Sequence, residues 1–178
     1  MQLTLPTAVL LAATAASAQT FSFPLNTEQT NPSAVFPDGA TLPSGFATVT
    51  VDDDLDLVSY DIAWQDLTGP IVAPGFHFHG PAALGENAGT IIDVAGDTPT
   101  GFDPVGGIVE LPLPASGSIS GEAQVDQITV DAILNGLAYI NIHTDLNQPG
   151  ELRGQVVVPE PTGLGLLLVG GLALRRRR

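Results

Sequence analysis

Residues 75–80 read GFHFHG, in which two aromatic and two imidazole side chains alternate between two glycines. In a β-strand, successive side chains point to opposite faces of the sheet. Phe76 and Phe78 therefore share one face, which suits a hydrophobic core, and His77 and His79 share the other. The stretch predicts a strand with a buried apolar face and a second face that carries imidazole.

The segment around the third histidine repeats this pattern. In AYINIHT, residues 138–144, alternation puts Tyr139, Asn141 and His143 on one face. The alanine and the two isoleucines fall on the opposite face. Two strands of this kind, packed side by side, would form one apolar surface and one polar surface.

The rest of the chain between its two ends also reads as β-structure. Short alternating or apolar runs recur between glycine and proline turns, and no long stripe with the helical period of 3.6 residues is present. This spacing predicts an all-β antiparallel β-sandwich. The expected strands are residues 20–25, 45–51, 55–64, 75–79, 90–94, 107–113, 117–123, 137–143 and 151–158.

Three smaller features complete the predicted fold. The one helical candidate is short, residues 130–135, and Gly136 closes it. The run Asp52–Asp54 between two strands reads as a solvated hairpin connection rather than a calcium loop, because it lacks the glycine and glutamate of an EF-hand. We expect Trp64 to lie in the core.

The charge of the predicted domain, residues 19–158, is strongly negative. It contains 18 acidic residues and a single cation, Arg153, a net charge of −17 with neutral histidines. Such a field repels a phosphate backbone, so nucleic acid is excluded as a partner and cations are favoured. The chain has no cysteine, which excludes disulfides and thiolate metal sites.

The N-terminus has the pattern of a signal peptide. An apolar run, residues 8–16, leads into the small residues Ala16 and Ala18, which match a signal-peptidase site. We expect residues 1–18 to be removed on export, so that the mature chain begins at Gln19. A buried N-terminal helix is the alternative.

The C-terminus, residues 159–178, resembles the PEP-CTERM sorting signal of exported bacterial proteins. Its parts are Pro159, Glu160 and Pro161, then an apolar run at residues 163–174, then Arg175, Arg176, Arg177 and Arg178. As a helix, the apolar run would span about 18 Å, short of the roughly 30 Å of a bilayer core. The resemblance implies transient membrane attachment and an exosortase-type protease as partner. A simple C-terminal anchor is the alternative.

The histidines suggest a metal site. Two imidazoles two residues apart on a strand can reach one ion, and His143 on a neighbouring strand would complete a three-histidine set with His77 and His79. Such a set suits copper or zinc, with carboxylates to hold the distal ring nitrogens. The alternative is that the three histidines are hydrogen-bonded structural residues.

The two histidine segments resemble the CHRD family, which is named after chordin and is common in exported bacterial proteins. The motif residues are His77, His79 and Gly80; Tyr139, Asn141, His143 and Thr144; and Gly150, Glu151, Arg153, Gly154 and Gln155. The resemblance extends over residues 21–158. It implies an immunoglobulin-like sandwich related to copper–zinc superoxide dismutase, with the three histidines at the positions of copper ligands.

The sequence departs from the dismutase pattern in ways that make this activity unexpected. It lacks the bridging histidine, the other zinc histidines and the disulfide cysteines, and residues 80–89 offer Glu86 and Asn87 instead. A negative domain would also repel superoxide. Catalysis is therefore not the expected role.

Glu151 and Arg153 fall on one face of the last predicted strand. Because Arg153 is the only cation of the domain, and guanidinium pairs with carboxylate in a fixed geometry, we expect a structural ion pair that locks this strand beside His143. An anion-binding role for Arg153 is the alternative.

The sequence as a whole predicts an exported bacterial protein of the cell envelope or extracellular matrix. Its domain is expected to be a non-catalytic structural or binding module, with a matrix polysaccharide or protein as partner. The alternative function is a copper or zinc site formed by His77, His79 and His143, with a redox or metal-storage role.

Overall fold

The computed structural model describes residues 18–96 and 101–158. Within these residues the chain forms eight β-strands and one α-helix. They are β1 (Gln19–Leu25), β2 (Ser44–Asp52), β3 (Leu57–Gln65), β4 (Ile71–His79), β5 (Thr90–Ala95), β6 (Gly117–Gln124), α1 (Gln127–Leu134), β7 (Tyr139–Thr144) and β8 (Leu152–Gln155).

The strands form two four-stranded sheets. The first has the order β1-β2-β3-β6 and the second the order β5-β4-β7-β8, and every neighbouring pair within a sheet is antiparallel. A bridge between Asn26 and Arg153 joins the end of β1 to β8 and so links the two sheets. The predicted all-β antiparallel sandwich with one short helix is confirmed.

The core lies between the sheets and is filled by the apolar face of each strand. On β4, Phe76 and Phe78 are fully buried, as the alternation predicts. Phe78 packs on Tyr60 of β3, with ring centroids 5.6 Å apart, and Phe76 meets Trp64 edge-on at 5.8 Å. Trp64 is buried and donates its indole N–H to a backbone carbonyl, so its predicted place in the core is confirmed.

One predicted strand is wrong. Residues 107–113 form no ladder and make only isolated bridges, from Val109 to β5 and from Leu113 to Ile71. Prolines at 112 and 114 have no N–H to donate to a ladder. Gly107 has a φ of +97°, outside the extended region. The segment therefore runs along the edge of the second sheet as a loop.

The helix is longer than predicted, and it begins before residue 130. Asp126 caps it by accepting a hydrogen bond from the backbone N–H of Thr129 at 2.8 Å. Asn135 ends the helix, and Gly136 follows with a φ of +70°, as its predicted closing role requires. The predicted hairpin after Asp52 is present between β2 and β3.

No helix within residues 18–96 and 101–158 is long and apolar enough to cross a bilayer. The predicted signal peptide up to residue 17 and the predicted sorting signal, residues 159–178, lie outside the described residues.

Candidate metal centre

The three histidines converge on the face of the second sheet opposite the core. β4 and β7 are neighbours, and their register pairs His77 with Asn141 and His79 with Tyr139. The ring centroids are 5.6 Å apart for His77 and His79, 5.5 Å for His77 and His143, and 6.2 Å for His79 and His143. The predicted parity of both strands thus brings together three imidazoles, although His143 lies 66 residues after His77 and 64 after His79 in the sequence.

One ligand nitrogen from each ring lies within 4.8 Å of the other two. An ion placed between these three nitrogens could therefore lie no more than about 2.8 Å (4.8/√3) from each of them. A zinc–imidazole bond is about 2.0–2.1 Å long, so a shift of roughly 0.7 Å per ring would complete the coordination distance. Small rotations of the side chains supply a movement of this size.

His79 presents its Nε2 atom to the cluster. Its Nδ1 lies 3.1 Å from the carbonyl oxygen of Ala88. Because a carbonyl only accepts hydrogen bonds, the proton of the neutral ring resides on Nδ1. The Nε2 lone pair is buried and has no hydrogen-bond partner among the described residues.

His143 is held in the same tautomer. Its Nδ1 donates to the carbonyl oxygen of Gln148 at 2.7 Å, which leaves a lone pair on Nε2. The nearest donor to that lone pair is the side-chain amide of Asn141, at a long 3.4 Å. The same amide donates to the carbonyl of Pro149 at 2.9 Å, which is the better contact.

His77 uses the opposite nitrogen. Its Nε2 lies 3.7 Å from one carboxylate oxygen of Asp93, too far for a hydrogen bond. Asp93 is fully buried, and its other oxygen accepts a hydrogen bond from the backbone N–H of Gly101. The Nδ1 atom of His77 is buried and has no hydrogen-bond partner within the described residues. The rings of His79 and His143 are thus each hydrogen-bonded through Nδ1 and leave Nε2 as the possible ligand, which is the arrangement that metal-binding histidines adopt. His77 offers Nδ1 instead and has the Asp93 carboxylate near its other nitrogen.

The surroundings keep all three rings neutral. The pKa of each histidine is lowered from 6.5 to about 4, and burial is the largest cause in every case. A second cause is repulsion by a neighbouring ring: His143 lowers the pKa of His77, His77 that of His79, and His79 that of His143. A neutral imidazole is the form that coordinates a metal, so the site needs no deprotonation step at pH 7.

Glu151 does not pair with Arg153. Its buried carboxylate accepts hydrogen bonds from the backbone N–H of Thr68 at 2.6 Å, from the hydroxyls of Thr68 and Thr144, and from the side-chain amide of Asn147 at 3.2 Å. These neutral donors stabilise the negative charge without a cation. Together they tie β7, β8 and the loop after β3.

Arg153 has different partners from those predicted. It is 1% exposed, and its guanidinium lies 3.5 Å above the centre of the Tyr139 ring. It donates to the side-chain oxygen of Asn87 at 2.9 Å and to the backbone carbonyl of Glu86 at 2.6 Å. Burial lowers its pKa, and Tyr139 opposes that shift.

The expected ion pair is therefore wrong, and the direction of the side chains explains why. Glu151 reaches Thr144 at one end of β7, whereas Arg153 reaches Tyr139 at the other end. Five residues of strand, about 17 Å, separate these two positions. The two charges extend away from each other although two residues separate them in sequence.

Sequence reasoning did not identify the groups that orient the histidines. Two of them, at Ala88 and Gln148, are backbone carbonyls in loops, and no residue type marks such a position. The carboxylate beside His77 could have been noticed, because Asp93 is an acid within the apolar run TIIDVA of β5. A single acid in a buried strand indicates a polar partner inside the fold.

Comparison with known proteins agrees with the motif residues. A family model described as the CHRD domain matches residues 21–156, a range that includes all three histidines and Arg153. No curated protein and no solved structure matches the chain.

The low pKa values of the histidines predict a specific pH dependence of stability. In the unfolded chain the rings take up protons near pH 6.5, whereas in the metal-free folded protein they do so only near pH 4. The unfolded state therefore binds more protons between these values, and the free energy of unfolding falls as pH drops from about 6.5 to about 4. Histidine titration by NMR, with the urea-unfolded chain as control, tests this; folded rings that titrate near pH 6.5 would contradict it.

The separate partners of Glu151 and Arg153 predict independent effects on stability. Glu151→Gln turns an acceptor into a donor that faces other donors, and we expect a loss of about 2–3 kcal/mol. In a double-mutant cycle with Arg153→Met, the two losses should add within about 0.5 kcal/mol, as for residues without shared contacts. Urea unfolding gives the free energy of unfolding of the parent, the two single variants and the double variant. A coupling energy above about 1.5 kcal/mol would show that Glu151 and Arg153 interact as an ion pair after all.

Proposed function

The chain belongs to the CHRD domain family, and on this premise we propose that it is a non-catalytic binding module that holds one copper or zinc ion on His77, His79 and His143. The observation that carries the proposal is the convergence of three neutral imidazoles, two of which have buried ring nitrogens without a hydrogen-bond partner among the described residues. Buried polar atoms are seldom left unpaired in folded proteins, and one ion would satisfy the whole set.

The type of ligand favours copper or zinc. Imidazole nitrogens suit these ions, whereas magnesium and calcium prefer oxygen ligands. Three histidines leave a further coordination position for water or another ligand. The net charge of −17 on residues 19–158 would concentrate cations around the domain.

The surroundings of the cluster support binding or storage rather than turnover. His77 and His143 are 4% and 6% exposed, which restricts the approach of a substrate to the ion. The negative field also disfavours anionic substrates, superoxide included. We therefore propose that the domain uses the ion for stability, storage or attachment.

We further propose that the protein is exported and sorted to the envelope or matrix of a bacterium. Signal-peptide cleavage after Ala18 would leave β1 intact, because that strand begins at Gln19. The Pro159–Pro161 motif and the terminal arginines would then direct the chain to an exosortase-type protease. A polysaccharide or protein of the matrix is the partner we propose for the exposed surface.

Metal content tests the binding proposal. After incubation with copper or zinc and removal of free ion, we expect about one equivalent in the parent protein. His77→Ala/His79→Ala and His143→Ala should each lose it. The control is Asp52→Asn/Asp53→Asn/Asp54→Asn, which removes an acidic cluster outside the site and should retain the ion. Equal binding by parent and histidine variants, or loss in the control alone, would place the ion on the acidic surface instead.

Export is tested separately, in a bacterium with an exosortase-type system. Mass spectrometry of the cell-surface fraction should find a chain that begins at Gln19 and lacks the terminal arginines. Replacing Arg175–Arg178 with glutamine should leave the N-terminal cleavage unchanged but keep the tail uncut and membrane-associated. Full-length protein confined to the cytoplasm would refute export.

A further inference from the structure

The only cation of residues 19–158 is buried and lies away from every described carboxylate. Arg153 is 1% exposed, and no carboxylate oxygen of residues 18–96 and 101–158 lies within 4.0 Å of its guanidinium. A buried charge without a counter-ion is costly unless neutral groups compensate for it. The contacts that its guanidinium makes instead all lead toward His79.

The first route runs through the loop between β4 and β5, residues 80–89. Arg153 binds two adjacent residues of this loop, through the backbone carbonyl of Glu86 and the side-chain oxygen of Asn87. The next residue, Ala88, supplies the carbonyl that holds Nδ1 of His79. The guanidinium therefore anchors the loop at the two residues immediately before the one that orients the ring.

The second route runs through Tyr139. The strand order β4-β7-β8 puts His79, Tyr139 and Arg153 on three neighbouring strands. The ring of Tyr139 is stacked on that of His79, with centroids 5.0 Å apart and planes 8° from parallel, and the guanidinium lies over the same tyrosine. The Tyr139 hydroxyl also accepts from the N–H of Ala88, so both routes meet at that residue.

We infer that Arg153 is a positioning residue for His79: it holds the loop and the tyrosine so that the Ala88 carbonyl keeps the proton on Nδ1 and leaves Nε2 open toward His77 and His143. Arg153 does not contact His77 or His143 in this role. Its fork-shaped guanidinium binds two acceptors and a ring face at once, which an ammonium group cannot do. The part of the inference that concerns metal affinity rests on the proposed function.

The test compares three variants of the full-length purified chain. Arg153→Met removes the charge and the fork but keeps a long apolar side chain. Asn87→Ala removes the side-chain acceptor of Arg153 at an exposed residue, together with the hydrogen bond that the Asn87 amide donates to the carbonyl of Asn31. It leaves Arg153 in place, so it keeps the test valid if Arg153→Met fails to fold. The control is Glu86→Ala: it removes a nearby exposed carboxylate, whereas Arg153 binds only the backbone carbonyl of that residue.

The first measurement needs no metal. Nitrogen-15 chemical shifts at pH 7 report which ring nitrogen carries the proton. In the parent and in Glu86→Ala, His79 should be protonated on Nδ1 alone. In Arg153→Met and Asn87→Ala, the His79 ring should populate both neutral tautomers, while His77 and His143 keep the chemical shifts of the parent. An unchanged His79 in both variants would overturn the inference, and equal changes in all three rings would show a general loss of structure instead.

The second measurement is the dissociation constant for zinc, by competition with a chelator. Loss of a residue that orients a ligand weakens metal binding by about 10–100-fold, and we expect this for Arg153→Met, a smaller loss for Asn87→Ala and none for Glu86→Ala. Parent-like affinity in Arg153→Met would contradict the inference. If the parent binds no zinc or copper, the proposed function fails, whereas the tautomer measurement still decides the role of Arg153.

Discussion

The antiparallel pairing of β4 with β7 determines both the core and the candidate site. Each strand alternates apolar and polar side chains, and the pairing aligns the two alternations, so that Phe78 and Ile140 lie on one face and His77 and Asn141 on the other. A slip of one residue in this register would turn phenylalanine toward the histidine face and imidazole into the core. The same hydrophobic burial that selects the register therefore also assembles the histidine cluster.

This coupling explains why the sequence predicts the fold and the histidine cluster. Alternation is a local property that can be read from a short stretch of sequence. It is visible in Phe76 and Phe78 of β4 and in the isoleucines of β7. The strand expected at residues 107–113 failed because an apolar run resembles a strand even where prolines and a positive-φ glycine prevent a ladder. The CHRD match supports the assignment of the family from the same motif residues. Nothing local revealed which side chains would meet in the loops.

The predicted ion pair shows the limit of such reasoning most clearly. Glu151 and Arg153 are the natural partners by spacing, since the domain offers the arginine no nearer acid in sequence. In the fold, each charge is instead surrounded by neutral groups of other segments: Glu151 by residues of two loops and β7, Arg153 by the loop of residues 80–89 and the Tyr139 ring. A buried charge takes the partners that the tertiary structure brings within reach, and these depend on loop conformation, which composition does not encode.

The burial of Arg153 has a consequence for resistance to proteolysis. Proteases of the trypsin type cut after lysine or arginine, and residues 19–158 contain no lysine and only this arginine. The bond that follows it, between Arg153 and Gly154, lies within β8, and the N–H and carbonyl groups of Arg153 are both paired with Asn26. To be cleaved, this strand would have to leave the sheet and unfold the link between the two sheets. The folded domain thus offers such enzymes no accessible cleavage site, a form of protection achieved by amino-acid usage rather than by disulfides.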